Sequence, residues 1–230
     1  GSEVYEGVAG GDGAPTLDEL RYQIPAALTM QDRVVTKQDM IARIYSMPTN
    51  FGRVYRATSR KSSRNPLATE LYILSQNSRG QLTTAPDTLK KNLKKYLNEF
   101  RLVSDAIDVL DGTVINYGIE YSVIATPEAN KSVVTNAVQA AISSALNIKA
   151  YQMDQPLIEA DIINAIINTT GVLSLNKLEI FNISGATGGR QYSNFNFDIQ
   201  SNKFKGMIVG PPGSVFELKY TSSDIFGSVE

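Results

Sequence analysis

The sequence predicts an α+β protein in which helices pack on one face of a mixed or antiparallel sheet. Two kinds of pattern lead to this class: some segments alternate apolar and polar residues, and others space their apolar residues at the helical period. Turn signals rich in Gly, Pro and Asn separate these segments, and their order is β-β-α-β-β-α-α-β. We therefore expect an N-terminal arm with two short helices (residues 1–50), an α+β core domain (51–183) and a small β-rich C-terminal appendage (184–230).

The arm is predicted to contain two capped helices. Thr16 is the expected N-cap of the first helix, and Pro25 ends it. A short extended piece follows, and Thr36 then caps the second helix. Asp39 lies in the first turn of that helix, where the positive end of the helix dipole favours a carboxylate.

The core is expected to begin with two paired strands, over residues 51–58 and 69–76, because β-forming residues there lie between turn signals. Thr84 is the expected cap of the next helix, which carries one apolar face and one lysine-rich face. The apolar face consists of Leu89, Leu93, Tyr96, Leu97 and Phe100, and the opposite face carries Lys90, Lys91, Lys94 and Lys95. A short strand over residues 106–110 is expected to follow.

The second half of the core is predicted to contain a long strand over residues 113–126 with one buried and one wetter face. The buried face would carry Ile115, Tyr117, Ile119, Tyr121, Val123 and Ala125, and the wetter face Asn116, Glu120 and Ser122. Two helices are expected next, over residues 131–148 and 156–168, and the second is apolar over so broad an arc that we expect it to be sandwiched. Gly171 should end it, and the alternation of the final strand, 172–183, shifts phase near Asn176, which predicts a β-bulge or a break in pairing.

The appendage is expected to contain strands over residues 191–200 and 215–220. Its glycine-rich segment 184–190 has a superficial likeness to a phosphate-binding loop. Such a loop needs a lysine at the start of a helix, whereas Arg190 here leads into alternating residues. We therefore predict a hairpin turn.

Composition excludes several kinds of chemistry. The 230 residues include no histidine and no cysteine, so histidine-dependent catalysis and thiolate or imidazole metal sites are unavailable. Chemistry based on carboxylates or lysine survives this exclusion, but we find no acid and base in a recognisable spacing and expect no enzyme activity and no cofactor. The 22 basic and 23 acidic residues leave a net charge of -1, so no overall field attracts nucleic acid. No apolar run is long enough for a membrane helix.

Two clusters of charge offer alternatives. Asp105, Asp108 and Asp111 could ligate Ca²⁺ or Mg²⁺, but they lack the ligand spacing of a calcium-binding loop, so a solvated turn is preferred. A basic cluster runs from the first predicted strand into a Ser-rich loop: Arg53, Arg56, Arg60, Lys61 and Arg64. This cluster supports the alternative hypothesis of a nucleic-acid-binding α+β module, which we consider less favoured than a solvated or protein-contacting patch.

The arm also carries a recognisable pattern in Leu17-x-x-Leu20-Arg21, Arg33-Val34-Val35-Thr36 and Gln38-Asp39-Met40. It resembles the baseplate J-like family of contractile-tail proteins, and within it the baseplate wedge proteins of T4-like bacteriophages. Members carry a helix ending in Leu-Arg, then Arg-Ala-Val-Thr and, after two further residues, Asp-Tyr. Val34 here replaces the small residue, and Met40 replaces the aromatic one. The order of elements is similar through Leu178.

The resemblance implies a structural protein of the virion tail baseplate, assembled in the host cytoplasm. It implies self-association, as a homodimer or larger ring, and docking of other wedge subunits to build the ring around the tail hub. It also implies that this chain is the C-terminal portion of a polypeptide that extends further towards its N-terminus. The candidate interface residues are those of the family pattern: Leu17, Leu20, Arg21, Arg33, Val34, Val35, Thr36 and Asp39. For Arg33 and Asp39 the preferred interpretation is that they hold the arm to its own domain.

Overall fold

The computed structural model describes residues 37–99 and 106–230, which form two compact units. The described part of the first unit consists of residues 37–76, 84–99 and 106–111, and the second unit consists of residues 77–83 and 112–230. The division into arm, core and appendage stays a prediction.

The described residues contain four α-helices and thirteen strands. The helices are α1 (Lys37–Tyr45), α2 (Asp87–Glu99), α3 (Lys131–Ala145) and α4 (Glu159–Ile167). The longer strands are β1 (Arg56–Lys61), β2 (Thr69–Gln76), β4 (Ile107–Asp111), β5 (Thr113–Ala125), β7 (Val172–Asn182), β12 (Ser214–Glu217) and β13 (Ile225–Val229). The two-residue strands are β3 (Leu82–Thr83), β6 (Leu157–Ile158), β8 (Ala186–Thr187), β9 (Arg190–Gln191), β10 (Lys203–Phe204) and β11 (Met207–Ile208). This composition confirms the α+β class.

In the first unit, β2 pairs antiparallel with β1 and parallel with β4. The predicted apolar face of α2 is confirmed, since Leu89, Leu93, Tyr96 and Leu97 are buried in one core with residues of α1, β1 and β2. Phe100 lies outside the described residues. The helix begins at Asp87, after Pro86, so the cap predicted at Thr84 is wrong.

The first predicted strand was placed too early. Residues Thr49–Phe51 form a 3-10 turn, and the strand begins only at Arg56. Gly52 follows the turn with φ of 98°, and a Cβ there would lie 2.8 Å from the Leu89 side chain. The chain thus bends at Gly52 to pass close to α2, which an extended segment could not do. The predicted pairing of the first two strands is confirmed.

The sheet of the second unit is built around β5. On one side β7 pairs with β5 antiparallel, and on the other β12 and β13 pair with it in parallel. The predicted strand and its apolar face are confirmed, but Asn116, expected on the wetter face, is only 1% exposed. The segment predicted as an appendage (184–230) thus contributes β12 and β13 to the same sheet as β5 and β7.

The predicted bulge in β7 is confirmed. Ser122 pairs with Lys177 and Val123 with Leu175, which leaves Asn176 without a partner in the ladder. A second irregularity leaves Leu173 unpaired between Ser174 and Val172. The predicted phase shift therefore corresponds to a real change of register.

The two helices of this unit contact each other, and they pack against β13 and β7 respectively. Asn130 caps α3 by accepting hydrogen bonds from the N–H groups of Ser132 and Val133, as expected for an Asn N-cap. The helix predicted to start at Pro156 begins at Glu159, because residues 157–158 pair with β11 instead. It is also not sandwiched: Ile162 is buried, but Ile167 is 45% exposed.

The strand predicted over residues 191–200 is wrong beyond Gln191. The backbone N–H of Ser193 donates to Oδ1 of Asn116, and that of Phe197 donates to Oδ1 of Asn182. Side chains of the main sheet thus satisfy backbone groups that a ladder would otherwise pair, and the segment runs irregularly over the sheet. The last predicted strand corresponds to β12, which ends at Glu217.

Candidate interaction surfaces

Glu217 on β12 is the centre of a buried polar network. Its side chain is 2% exposed; Oε2 accepts a hydrogen bond from the N–H of Leu82 at 2.6 Å, and Oε1 accepts one from Nδ2 of Asn116 at 2.9 Å. Asn116 in turn accepts from the N–H of Ser193 at 2.8 Å. Burial raises the pKa of Glu217, and these hydrogen bonds oppose the rise. The network therefore joins four segments of the second unit: β3, β5, β12 and the segment after β9.

A second buried pair, Tyr192 and Asp224, lies next to β9. The Tyr192 hydroxyl donates to Oδ1 of Asp224 at 2.7 Å, and Oδ2 accepts from the N–H of Tyr220 at 3.2 Å. Burial, together with the hydrogen bond to Asp224, raises the pKa of Tyr192. Both buried carboxylates of this unit are thus engaged in holding chain segments to the sheet.

Of the candidate interface residues, Asp39 alone lies within the described part of the chain. It occupies the first turn of α1, as predicted, and is half-buried. Its neighbour Met40 is buried in the core of the first unit. The remaining candidates lie outside the described residues: Leu17, Leu20, Arg21, Arg33, Val34, Val35 and Thr36. Their proposed interface role stays a prediction.

The members of the predicted basic cluster differ in burial and in their partners. Arg56 is buried, and its guanidinium donates to the carbonyl of Tyr55 at 2.9 Å and lies 4.2 Å from the centre of the Tyr55 ring. Nε of Arg60 lies 4.0 Å from Oε2 of Glu70. Exposed basic side chains remain at Arg53, Lys61 and Arg64. The face available to an anion is thus smaller than the sequence indicates.

The lysine face of α2 forms a shallow groove of about 500 Å³ with Asn98 and Glu99. Lys91, Lys94 and Lys95 line it, whereas Lys90 makes ion pairs with Asp111 at 2.8 Å and Asp87 at 3.5 Å. The hydrogen bond that Lys90 donates to Asp111 raises the pKa of Lys90. Of the aspartates considered as metal ligands, Asp105 lies outside the described residues, and Asp111 is the ion-pair partner of Lys90. Within residues 37–99 and 106–230, no group of acidic side chains is arranged to hold a metal ion.

The segment with a likeness to a phosphate-binding loop is a hairpin, as predicted. Strands β8 and β9 pair antiparallel around Gly188 and Gly189, whose φ angles are 59° and 78°. Two consecutive positive φ angles define the hairpin turn that matches the twist of the strands.

A second hairpin, β10–β11, pairs with β6 and exposes apolar side chains. Phe204 is opposite Met207, and Met207 is opposite Ile158, so the three lie on one face. Their exposed fractions are 70%, 41% and 38% respectively. We call these three residues the hairpin stripe. Sequence reasoning missed it, because strands of two residues are too short to show an alternating pattern.

The outer face of the β7–β5–β13 sheet carries a groove of about 450 Å³. We call it the sheet groove; its lining includes Glu120, Ser122, Lys177, Phe226, Gly227 and Ser228. Nζ of Lys177 lies 3.6 Å from the Glu120 carboxylate and 3.7 Å from that of Glu179. Phe226 packs on Phe181 with ring centres 5.8 Å apart. The groove thus combines an aromatic wall with one carboxylate, Glu120, whose ion-pair partner Lys177 also contacts Glu179 outside the lining.

Comparison with known proteins finds similarity at the level of structure. No protein-family model and no curated protein sequence matches the chain. A chain of the "Cryo-EM structure of the anti-feeding prophage (AFP) baseplate, 6-fold symmetrised" is similar over 95% of this chain, with 12% sequence identity and a TM-score of 0.46. The similarity covers 43% of that chain, so the present chain spans less than half of its length.

None of the helices within residues 37–99 and 106–230 is both long enough and apolar enough to cross a membrane.

Proposed function

We propose that this chain is a structural component of a contractile-tail baseplate, where it associates with itself and with neighbouring wedge subunits. The observation that carries the proposal of an assembly role is the hairpin stripe. Its three apolar side chains stand in cross-strand register on an exposed face, while Leu157 and Ile208 on the opposite face are fully buried. Contiguous exposed apolar surface of this kind marks interaction sites.

The assignment to a baseplate rests on the resemblance of the arm, from Leu17 to Asp39, to the baseplate J-like family. In this proposal the family-pattern residues contribute to contacts with neighbouring subunits or hold the arm to its own chain. The position of Asp39 in the first turn of α1 is compatible with both roles. The protein is then a constituent of the virion tail and acts by binding other chains.

Immunogold electron microscopy tests this proposal directly. Antibodies raised against the chain should label contractile particles, purified from the organism that encodes it, at the end of the tail distal to the head. Pre-immune serum and labelling competed by the free chain are the controls. Particles that carry no label in intact or gently dissociated form would contradict the proposal.

Nucleic-acid binding is a second candidate, supported by the excess of basic over acidic side chains among the described residues of the first unit. The burial of Arg56 and the pairing of Arg60 with Glu70 leave this candidate a smaller surface. Fluorescence polarisation with labelled DNA and RNA is the test. Affinity that falls steeply with salt would support binding to phosphates, and no binding at low salt would remove the candidate.

A further inference from the structure

The hairpin stripe is exposed although the hairpin that carries most of it is firmly anchored on its other face. Ile208 of β11 pairs with Leu157 of β6, and both side chains are fully buried. Lys203 of β10 makes an ion pair with Glu159 at 3.4 Å. The hairpin is therefore fixed on its inner face, and its outer face presents Phe204 and Met207 in a defined arrangement.

The charge at the tip of the hairpin is positive. Nζ of Lys205 lies 5.4 Å from the centre of the Phe204 ring, a cation–π contact at an exposed site. Among the described residues Lys205 makes no ion pair, in contrast to Lys203. A surface that fits this tip needs an apolar or aromatic wall and a carboxylate beside it.

The sheet groove offers this chemistry. Phe226 supplies an aromatic wall and is itself 46% exposed. Glu120 lines the groove and shares Lys177 with Glu179, which lies just outside the lining, so the three side chains together carry one negative charge in excess. A volume of about 450 Å³ is sufficient for an aromatic side chain and the lysine beside it.

We propose that the hairpin stripe of one copy docks into the sheet groove of a second copy, with Phe204 against Phe226 and Lys205 beside Glu120. This inference rests on the self-association in the proposed function and specifies its surface. Because the two surfaces are different parts of the second unit, the contact is heterologous and leaves one stripe and one groove free in each pair. Such contacts propagate into rings, or into filaments when the rotation does not close.

The buried area predicts a weak contact between isolated copies. Stable complexes bury about 800 Å² on each partner, and a stripe of three side chains is a small part of such an area. We therefore expect association that depends on concentration and weakens as salt rises, since it includes an exposed charge pair.

Sedimentation equilibrium on the full chain, over a wide concentration range and at two salt levels, tests the proposal. Two variants remove one surface each: Phe204→Ser on the hairpin and Glu120→Lys in the groove. Each alone should weaken association by about 10-fold or more, as removal of a central interface residue does. Thr187→Ala, on the exposed β8–β9 hairpin, is the matched control and should behave as wild type. Circular dichroism and thermal unfolding verify that both variants fold.

The decisive measurement mixes the two variants. Phe204→Ser retains an intact groove and Glu120→Lys an intact hairpin, so the mixture should form a 1:1 dimer and no larger species. A wild-type chain that stays monomeric at every concentration would overturn the proposal, as would variants that associate like wild type or fail to pair when mixed. If both variants associate as strongly as wild type and the tail carries gold label, the proposed surface is refuted and the baseplate role stands. If the variants weaken association but the particles carry no label, the surface stands and the baseplate role is refuted.

Discussion

The two hairpins of the second unit, β8–β9 and β10–β11, have the same turn geometry but expose different kinds of side chain. Each joins two-residue strands through two residues with positive φ, Gly188-Gly189 at 59° and 78° and Lys205-Gly206 at 51° and 76°. The β8–β9 hairpin exposes Ala, Thr, Arg and Gln, whereas β10–β11 exposes Phe204 and Met207. Turn chemistry therefore explains why both hairpins form, but it does not explain the apolar surface of the second.

The hairpins also differ in how they are anchored. Residues following β9 are held by buried hydrogen bonds, from Ser193 to Asn116 and from Tyr192 to Asp224. The β10–β11 hairpin is held by buried apolar side chains, Ile208 and Leu157. An apolar anchor does not require an apolar outer face, so the exposure of Phe204 calls for a separate cause, which is the docking that we propose.

The largest effect is expected from the apolar anchor. Ile208→Ala removes a fully buried side chain and leaves a cavity, which should lower the free energy of unfolding by about 2–5 kcal/mol. Met207→Ala, one residue away on the exposed face, should change it by less than about 1 kcal/mol. Urea titration monitored by circular dichroism measures both. Equal losses would mean that the two faces of the hairpin are not distinct.

The polar anchor should be weaker when a single group is removed. Tyr192→Phe leaves the buried Asp224 carboxylate without its 2.7 Å donor, at a cost of about 1–3 kcal/mol. The control is Tyr220→Phe, whose hydroxyl makes a longer, exposed hydrogen bond to Gln191 at 3.3 Å and should contribute little. A loss in the control as large as that in Tyr192→Phe would contradict this account.

The comparison also separates what the sequence predicts from what it does not. The periodicity of β5 and α2 and the phase shift at Asn176 report on local geometry, and the structure confirms them. The strand expected after Gln191 depends instead on Asn116, which is distant in sequence and supplies the acceptor for Ser193. The hairpin stripe was missed because two-residue strands give too short a pattern, and its apolar face appears only once β6 is paired beside it.

Acidity should test the polar anchor, because Asn116, which accepts from Ser193, also donates to the buried Glu217 carboxylate. Burial raises the pKa of Glu217 in the folded state above its ordinary value of 4.5, so between these two values the folded protein binds more protons than the unfolded chain. Stability from this group therefore falls as pH rises through that window and is greatest below it. Glu217→Gln lacks this dependence, so the deficit in its free energy of unfolding relative to wild type should shrink as the pH rises from 4 to 7. Urea titrations at each pH measure it, and a deficit that stays constant would contradict the assignment.

The smallest effects concern the turn that both hairpins share. A Cβ at Gly188 would find only Nη1 of Arg190, 4.0 Å away, so Gly188→Ala isolates the backbone cost of the left-handed conformation. This cost should be about 1 kcal/mol. Lys205 already bears that cost at φ of 51°. Lys205→Gly should therefore raise the free energy of unfolding by about 0.5 kcal/mol, because the strain that it relieves exceeds the entropy that the unfolded chain gains. Thermal unfolding of both variants measures the pair of changes. A gain in stability combined with weaker self-association would indicate that Lys205 contributes to a contact with another chain and not to the fold of its own.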